Sequence, residues 1–217
     1  MRKDFHHQLE VLRADLATMC GLAGVVARRA TVALLDVDAD AAGQALAEAE
    51  QLNVMRADVE RRAVSILALE APVAGDLRAT VTAIQIASAA DRMGGLAAHV
   101  ARLCLRRHPE AVVPEELRGC FAQMGEIAVD LAERSRGAVL EGDYAQAHSS
   151  QHDDGAMEEL HRNLFRLVAS PRWSHEPAVA IDIVLLGRFY GRFADQAGEI
   201  ARRVTFQATG TYATQAS

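Results

Sequence analysis

The chain has 217 residues, half of them apolar but only 5% aromatic, and a formal net charge of −6. That balance excludes a general nucleic-acid binder, whose electrostatic footprint would be basic. No uninterrupted apolar run approaches the roughly 18 residues a membrane span needs, and the excess of Ala, Leu, Arg, Glu and Val is helix-forming composition.

The first predicted element is the most regular. Phe5, Leu9, Leu12, Leu16, Met19, Ala23, Val26, Ala30 and Ala33 step by four and three, the spacing of a helix packed lengthwise against others. It is expected to run to Leu35, where DVDAD from Asp36 offers N-cap residues for a reversal. A second helix is predicted over 39–69, ended by Pro72 and Gly75. A third follows with Asp76 as its N-cap and extends to Arg107. His108-Pro109 and Pro114 mark a joint in the middle of the chain. A fourth helix is predicted over 115–140, a fifth between the Gly142-Asp143 turn and Pro171, and a sixth from Pro177 at its first position. No segment has strand periodicity.

Two stretches repeat across this frame. ADRMGGLAAHVARL from Ala90 and GRFADQAGEIARRV from Gly191 align when 100 is subtracted from the second numbering: Arg92 with Arg192, Ala97 with Ala197, Arg102 with Arg202. The expected fold is all-α: two similar three-helix bundles arranged as an internal duplication, residues 1–108 and 115–207, followed by a polar tail over 208–217.

Cys20, Cys104 and Cys120 form an odd set without a C-x-x-C pair, which implies neither a disulfide framework nor a zinc ribbon. The N-terminal MRKDFHHQLEVLRADL carries charges through its apolar positions, so no signal peptide is expected and a cytoplasmic, reducing location is. The pairs Arg61-Arg62, Arg106-Arg107 and Arg202-Arg203 read as solvated helix faces or helix ends.

Polar positions four apart lie on one helix face. Asp195 and Glu199 therefore point the same way, as do Asp154 and Glu158, and Asp91 with His99. Stacked carboxylates repel unless an arginine or a metal lies between them. The bland reading is a solubilising surface compensated by Arg162, Arg192 and Arg203. His148 and His152 have a spacing zinc could use on a helix, without a third ligand. Glu158–His161 forms one E-x-x-H, but a di-iron bundle needs a second, and the chain has none. With no G-x-S-x-G elbow, phosphate loop or H-E-x-x-H, an enzyme is not expected.

The stretch from Leu67 to Arg102 resembles the PhoU family of phosphate-transport regulators. Pro72, Val73, Ala74, Asp76, Leu77 and Arg78 match its P-V-A-x-D-L-R segment. The segments from Asp91 and from Gly191 match its doubled E-R-I-G-D-x-A-x-N-I-A motif, the second through Arg192, Asp195, Ala197, Ile200 and Ala201. The resemblance implies an adaptor that couples a phosphate-specific ABC transporter ATPase to a sensor histidine kinase. Such an adaptor is a negative regulator of the starvation response, held at the membrane only peripherally through its partners. It also implies that Asp76, Leu77 and Arg78 are docking candidates and that a homodimer can form. In that family the acidic positions of the two bundles can bind iron or other divalent metal clusters. Here Asp91, Gly95 and His99 replace the usual Glu, Asp and Asn of the first copy. The second keeps Asp195, with Glu199 at the Asn position and Asp154 and Glu158 facing from the fifth helix. The expectation is a single-ion site in the second repeat, or none. The alternative function is a metal-binding helical bundle using those carboxylates, and a third is a scaffold assembling through the Phe5–Ala33 seam.

Overall fold

A computed structural model of the chain describes residues 2–142, 151–171 and 173–211, and the side chains of 5–142, 155–171 and 173–211 within them. Among the described residues there are six α-helices: α1 (Arg2–Asp36), α2 (Ala39–Glu70), α3 (Ala74–Arg107), α4 (Arg118–Glu141), α5 (Gln151–Val168) and α6 (Pro177–Thr209). A single 3-10 turn, Glu115–Leu117, precedes α4, so the predicted fourth helix begins three residues late as an α-helix. Pro177 opens α6 at its first turn, as the missing N–H of proline permits.

The α1 seam reads through to the core. Every residue of it is buried except Leu9, which is half-buried. Cys20, Ala27 and Leu34 are buried as well, widening the apolar stripe because α1 packs against α2, α3 and α4 at once. Asp38 caps α2: its Oδ1 accepts from the N–H groups of Asp40 and Ala41 at 2.9 Å each, an arrangement worth about 1 kcal/mol. Asp76 does not cap α3. The helix starts three residues earlier than that cap implies, with Val73 in the cap position and Asp76 inside the first turn, where its charge still faces the positive end of the dipole. At the other end, α6 runs to Thr209 and closes on Gly210, whose φ of +75° is the left-handed conformation glycine adopts without cost.

Within each repeat the third helix packs on the middle one, α3 on α2 and α6 on α5, and the repeats meet through α1 against α4 and α3 against α6. The four helices α1, α3, α4 and α6 thus form a shared body, with α2 and α5 laid on its two flanks. Buried polar ties fix this register. Thr31 of α1 donates its hydroxyl to Ala27 O at 2.8 Å, so the Tyr190 hydroxyl of α6, 2.7 Å from Thr31 Oγ1, is the donor of the bond between them. Burial pushes the Tyr190 pKa up. Gly125 of α4 leaves the space Thr31 occupies, since a Cβ there would lie 2.5 Å from Thr31 Cγ2.

The Arg106-Arg107 pair closes the exposed end of α3 but does more than solvate it. Both guanidiniums grip Asp182 of α6, Arg106 at 3.0 Å and Arg107 at 2.8 and 2.5 Å, and the Asp182 side chain is only 5% exposed. The end of α3 is thereby pinned to the start of α6.

Candidate functional site

Two neighbouring clefts hold most of the polar positions singled out by the repeat. The larger, about 630 Å³, lies where α2, α3 and α6 meet and is lined by Asp91 and His99 together with Glu50, Asn53 and Phe189. The smaller, about 310 Å³, lies between α5 and α6 and brings Glu158 and Asp195 together with His161. Arg188 and Arg192 of α6 line both, forming the ridge between them.

In the larger cleft Asp91 is half-buried and paired to Arg56 of α2 at 3.1 Å. Burial pushes its pKa up; the Arg56 charge opposes this and the Glu60 and Glu50 carboxylates add to it. One turn on, Gly95 leaves open space, with nothing within 4 Å of where a Cβ would stand. His99 stacks on Phe189, ring centroids 5.1 Å apart and planes within 22°. Its Nδ1 lies 3.4 Å from Arg102, and desolvation followed by the Arg102 charge lowers its pKa.

In the second repeat the acids are matched by arginines of their own helices. Asp195 is exposed and 3.6 Å from Arg192, and Glu158 is exposed and 3.5 Å from Arg162. Glu199, one turn beyond Asp195, does not line the cleft: Arg202 at 2.7 Å and Arg203 at 2.5 Å hold it away. The side chain of Asp154 and the His148–His152 pair lie outside the described residues. Among the described residues no group of three His, Cys, Asp or Glu side chains converges. The described donors do not fit a metal cluster. Bridging carboxylates must turn free oxygens toward a shared cation, and here Glu158, Asp195 and Glu199 each already face a guanidinium, with Arg188 and Arg192 adding positive charge beside the smaller cleft.

The docking candidates sit at the far end of α3, about 20 Å from Asp91 at 1.5 Å per residue. Asp76 lines a third cavity, about 520 Å³, with His6, Glu10, Arg13 and Glu141. Leu77 is exposed, and beside it on the α2–α3 bend Leu69 and Val73 are 79% and 74% exposed. Arg78 is tucked beneath Gly210, where a Cβ would lie 3.4 Å from its Cζ.

Arg92, Arg188 and Phe189 escaped the sequence reading as site residues. A signal existed for Arg188: it stands four before Arg192 on one helix face, with Val184 and Gln196, not acids, at the next four-residue steps on either side.

An all-α body built as a duplicated three-helix unit, with its polar clefts on the third helices, defines a duplicated helical bundle of the kind the doubled motif implies. The PhoU domain model matches residues 16–104 and again 121–204, and the chain belongs to the PhoU family. It is 50% identical over 212 residues to the phosphate-specific transport system accessory protein PhoU homolog 1 of Mycobacterium leprae (strain TN), covering 98% of this chain and 96% of that protein. It is 49% identical to the PhoU homolog 2 of Mycobacterium tuberculosis (strain ATCC 25618 / H37Rv), covering 98% of this chain and all of that protein. The fold matches the crystal structure of PhoU from Pseudomonas aeruginosa with a TM-score of 0.83 at 25% identity, over 95% of this chain and 100% of that one. It also matches the phosphate transport system regulatory protein PhoU from Streptococcus pneumoniae with a TM-score of 0.86 at 21% identity, over 97% of this chain and 99% of that one. No helix among the described residues is long and apolar enough to cross a membrane.

Proposed function

We propose that the protein is a negative regulator of the phosphate-starvation response. It acts in the cytoplasm as an adaptor between the ATPase of a phosphate-specific ABC transporter and a sensor histidine kinase, and it restrains phosphate uptake. The observation that carries this reading is near-end-to-end identity of about half to proteins named as accessory to the phosphate-specific transport system. On this reading the protein is not an enzyme; its work is done by surfaces. The exposed apolar bend of Leu69, Val73 and Leu77, with Asp76 and Arg78 beside it, supports the docking role given to that end of α3. An apolar patch rimmed by charge is a common form of protein contact surface.

Deleting the gene and following a phosphate-starvation reporter in phosphate-rich medium tests the reading. The reporter is expected to switch on and to be silenced by re-expression of the intact chain. The Leu77→Asp variant is expected to fold, since the side chain is exposed, yet to fail both in silencing and in recovering the transporter ATPase or the kinase from a pull-down. A reporter that stays quiet with any paralogue also removed would overturn the regulatory assignment.

A further inference from the structure

The larger cleft carries an unexpected charge for a protein whose net charge is −6. Four arginines line it, Arg92 and Arg102 from α3 and Arg188 and Arg192 from α6, so that both repeats contribute. Arg92 and Arg188 make no ion pair among the described residues, Arg102 has only the 3.4 Å contact to His99, and Arg192 has only the 3.6 Å approach to Asp195. The acids that line the cleft do not neutralise them. Asp91 is engaged by Arg56, and Glu50 forms an ion pair with none of the four. Guanidiniums gathered around one cavity repel one another, and an anion that bridges them relieves the repulsion.

We propose that this cleft binds a small anion carrying two or more phosphate groups, held by Arg92, Arg102, Arg188 and Arg192. Guanidinium forks match phosphate oxygens bidentately. Four of them around a cavity of about 630 Å³ suit a chain of phosphates better than one. Gly95 contributes by leaving the cleft floor open, with no side chain between the α3 backbone and the ligand. The stacked His99–Phe189 pair adds a flat aromatic wall on which a nucleobase could lie. The phosphate chain could belong to an inorganic polyphosphate or to a nucleoside polyphosphate, and the wall is what separates these sources. The proposal does not rest on the adaptor reading, since it concerns a ligand of the isolated chain.

Calorimetric titration of the purified full chain with tripolyphosphate, ATP and orthophosphate tests it. Saturable 1:1 binding of tripolyphosphate or ATP, weakening steeply as salt is raised and far tighter than that of orthophosphate, is expected. The double variant Arg92→Ala/Arg188→Ala should bind about tenfold more weakly or worse, with unchanged helicity because both side chains are exposed. A control pair away from the cleft, Arg61→Ala/Arg62→Ala, should bind as the parent does. Equal binding of tripolyphosphate and ATP, indifferent to His99→Ala, assigns the inorganic source. Tighter binding of ATP that is lost with His99→Ala assigns the nucleoside source. No saturable binding of either, or equal loss in the cleft and control variants, overturns the proposal.

Discussion

The two third helices, α3 and α6, share a frame and have exchanged their polar contents. At the position where α6 buries Asp182 under two arginines, α3 buries Thr82, whose hydroxyl has no partner. Where α6 carries Ala194, α3 has Gly94, packed so closely on Leu52 of α2 that a Cβ would come within 2.3 Å of Leu52 Cδ1. Where α6 has Asp195 and Glu199, each facing an arginine, α3 has an open glycine and a stacked histidine. The apolar frame is what two bundles need to pack against each other and is kept in both.

The largest effect is expected where the two helices join. Asp182→Ala removes a buried carboxylate that accepts three bonds from Arg106 and Arg107, and should cost about 3 kcal/mol in chemical denaturation. Because Arg106 is well exposed and gives Asp182 one bond where the less exposed Arg107 gives two, Arg106→Ala should cost less than Arg107→Ala. Equal small losses from all three would show that the clamp does not hold the repeats together.

The next test exchanges the packing of the two helices. Gly94→Ala forces a methyl into fully buried Leu52 and should destabilise by about 2 kcal/mol, despite alanine's better helix propensity. Ala194→Gly in the second repeat should cost about 1 kcal/mol, mostly backbone entropy. If Gly94→Ala instead stabilises, α3 can move off α2 freely and the tighter packing of the first repeat is not a constraint.

Thr82→Val should move stability the other way. The Thr82 hydroxyl is buried without a partner, so an apolar group of the same shape removes a desolvation penalty and should stabilise by about 0.5–1 kcal/mol. A loss on this substitution would mean that a bound water serves the hydroxyl.

How far these features were legible follows from their range. The seam of α1, a cap for α2 somewhere within DVDAD and Pro177 at the start of α6 are local patterns readable from the sequence, and the structure picks Asp38 among the cap candidates. Glu158 and Asp195 were placed in one cleft because the repeat aligned their helices. Asp76 was misread as a cap because Val73 and Ala74 can begin a helix without a side-chain acceptor. The Asp182 clamp and the four-arginine cleft were invisible for a different reason. They join α3 to α6 across the two repeats, and no period along one helix reports which residue of another it meets.

The smallest effect, and the one that best separates the two helices, is in pH. Desolvation and Arg102 lower the His99 pKa below its ordinary value of about 6.5, so between the folded and unfolded values the native state binds fewer protons than the unfolded one. Stability therefore rises with pH through that window and is lost as pH falls below about 6.5. Asp91, whose pKa burial raises, contributes with the opposite sign at more acidic pH, which makes the difference between variants the quantity to read. His99→Gln should flatten the slope near pH 6, whereas Glu199→Gln at the equivalent place in α6 should leave it unchanged. Repeating the measurement with tripolyphosphate sharpens the contrast. An anion held by the arginines around His99 would favour the imidazolium, so the wild-type slope should shrink or reverse while the His99→Gln slope stays flat. A wild-type slope indifferent to the anion would place any bound phosphate chain away from His99 and leave the two repeats electrostatically alike.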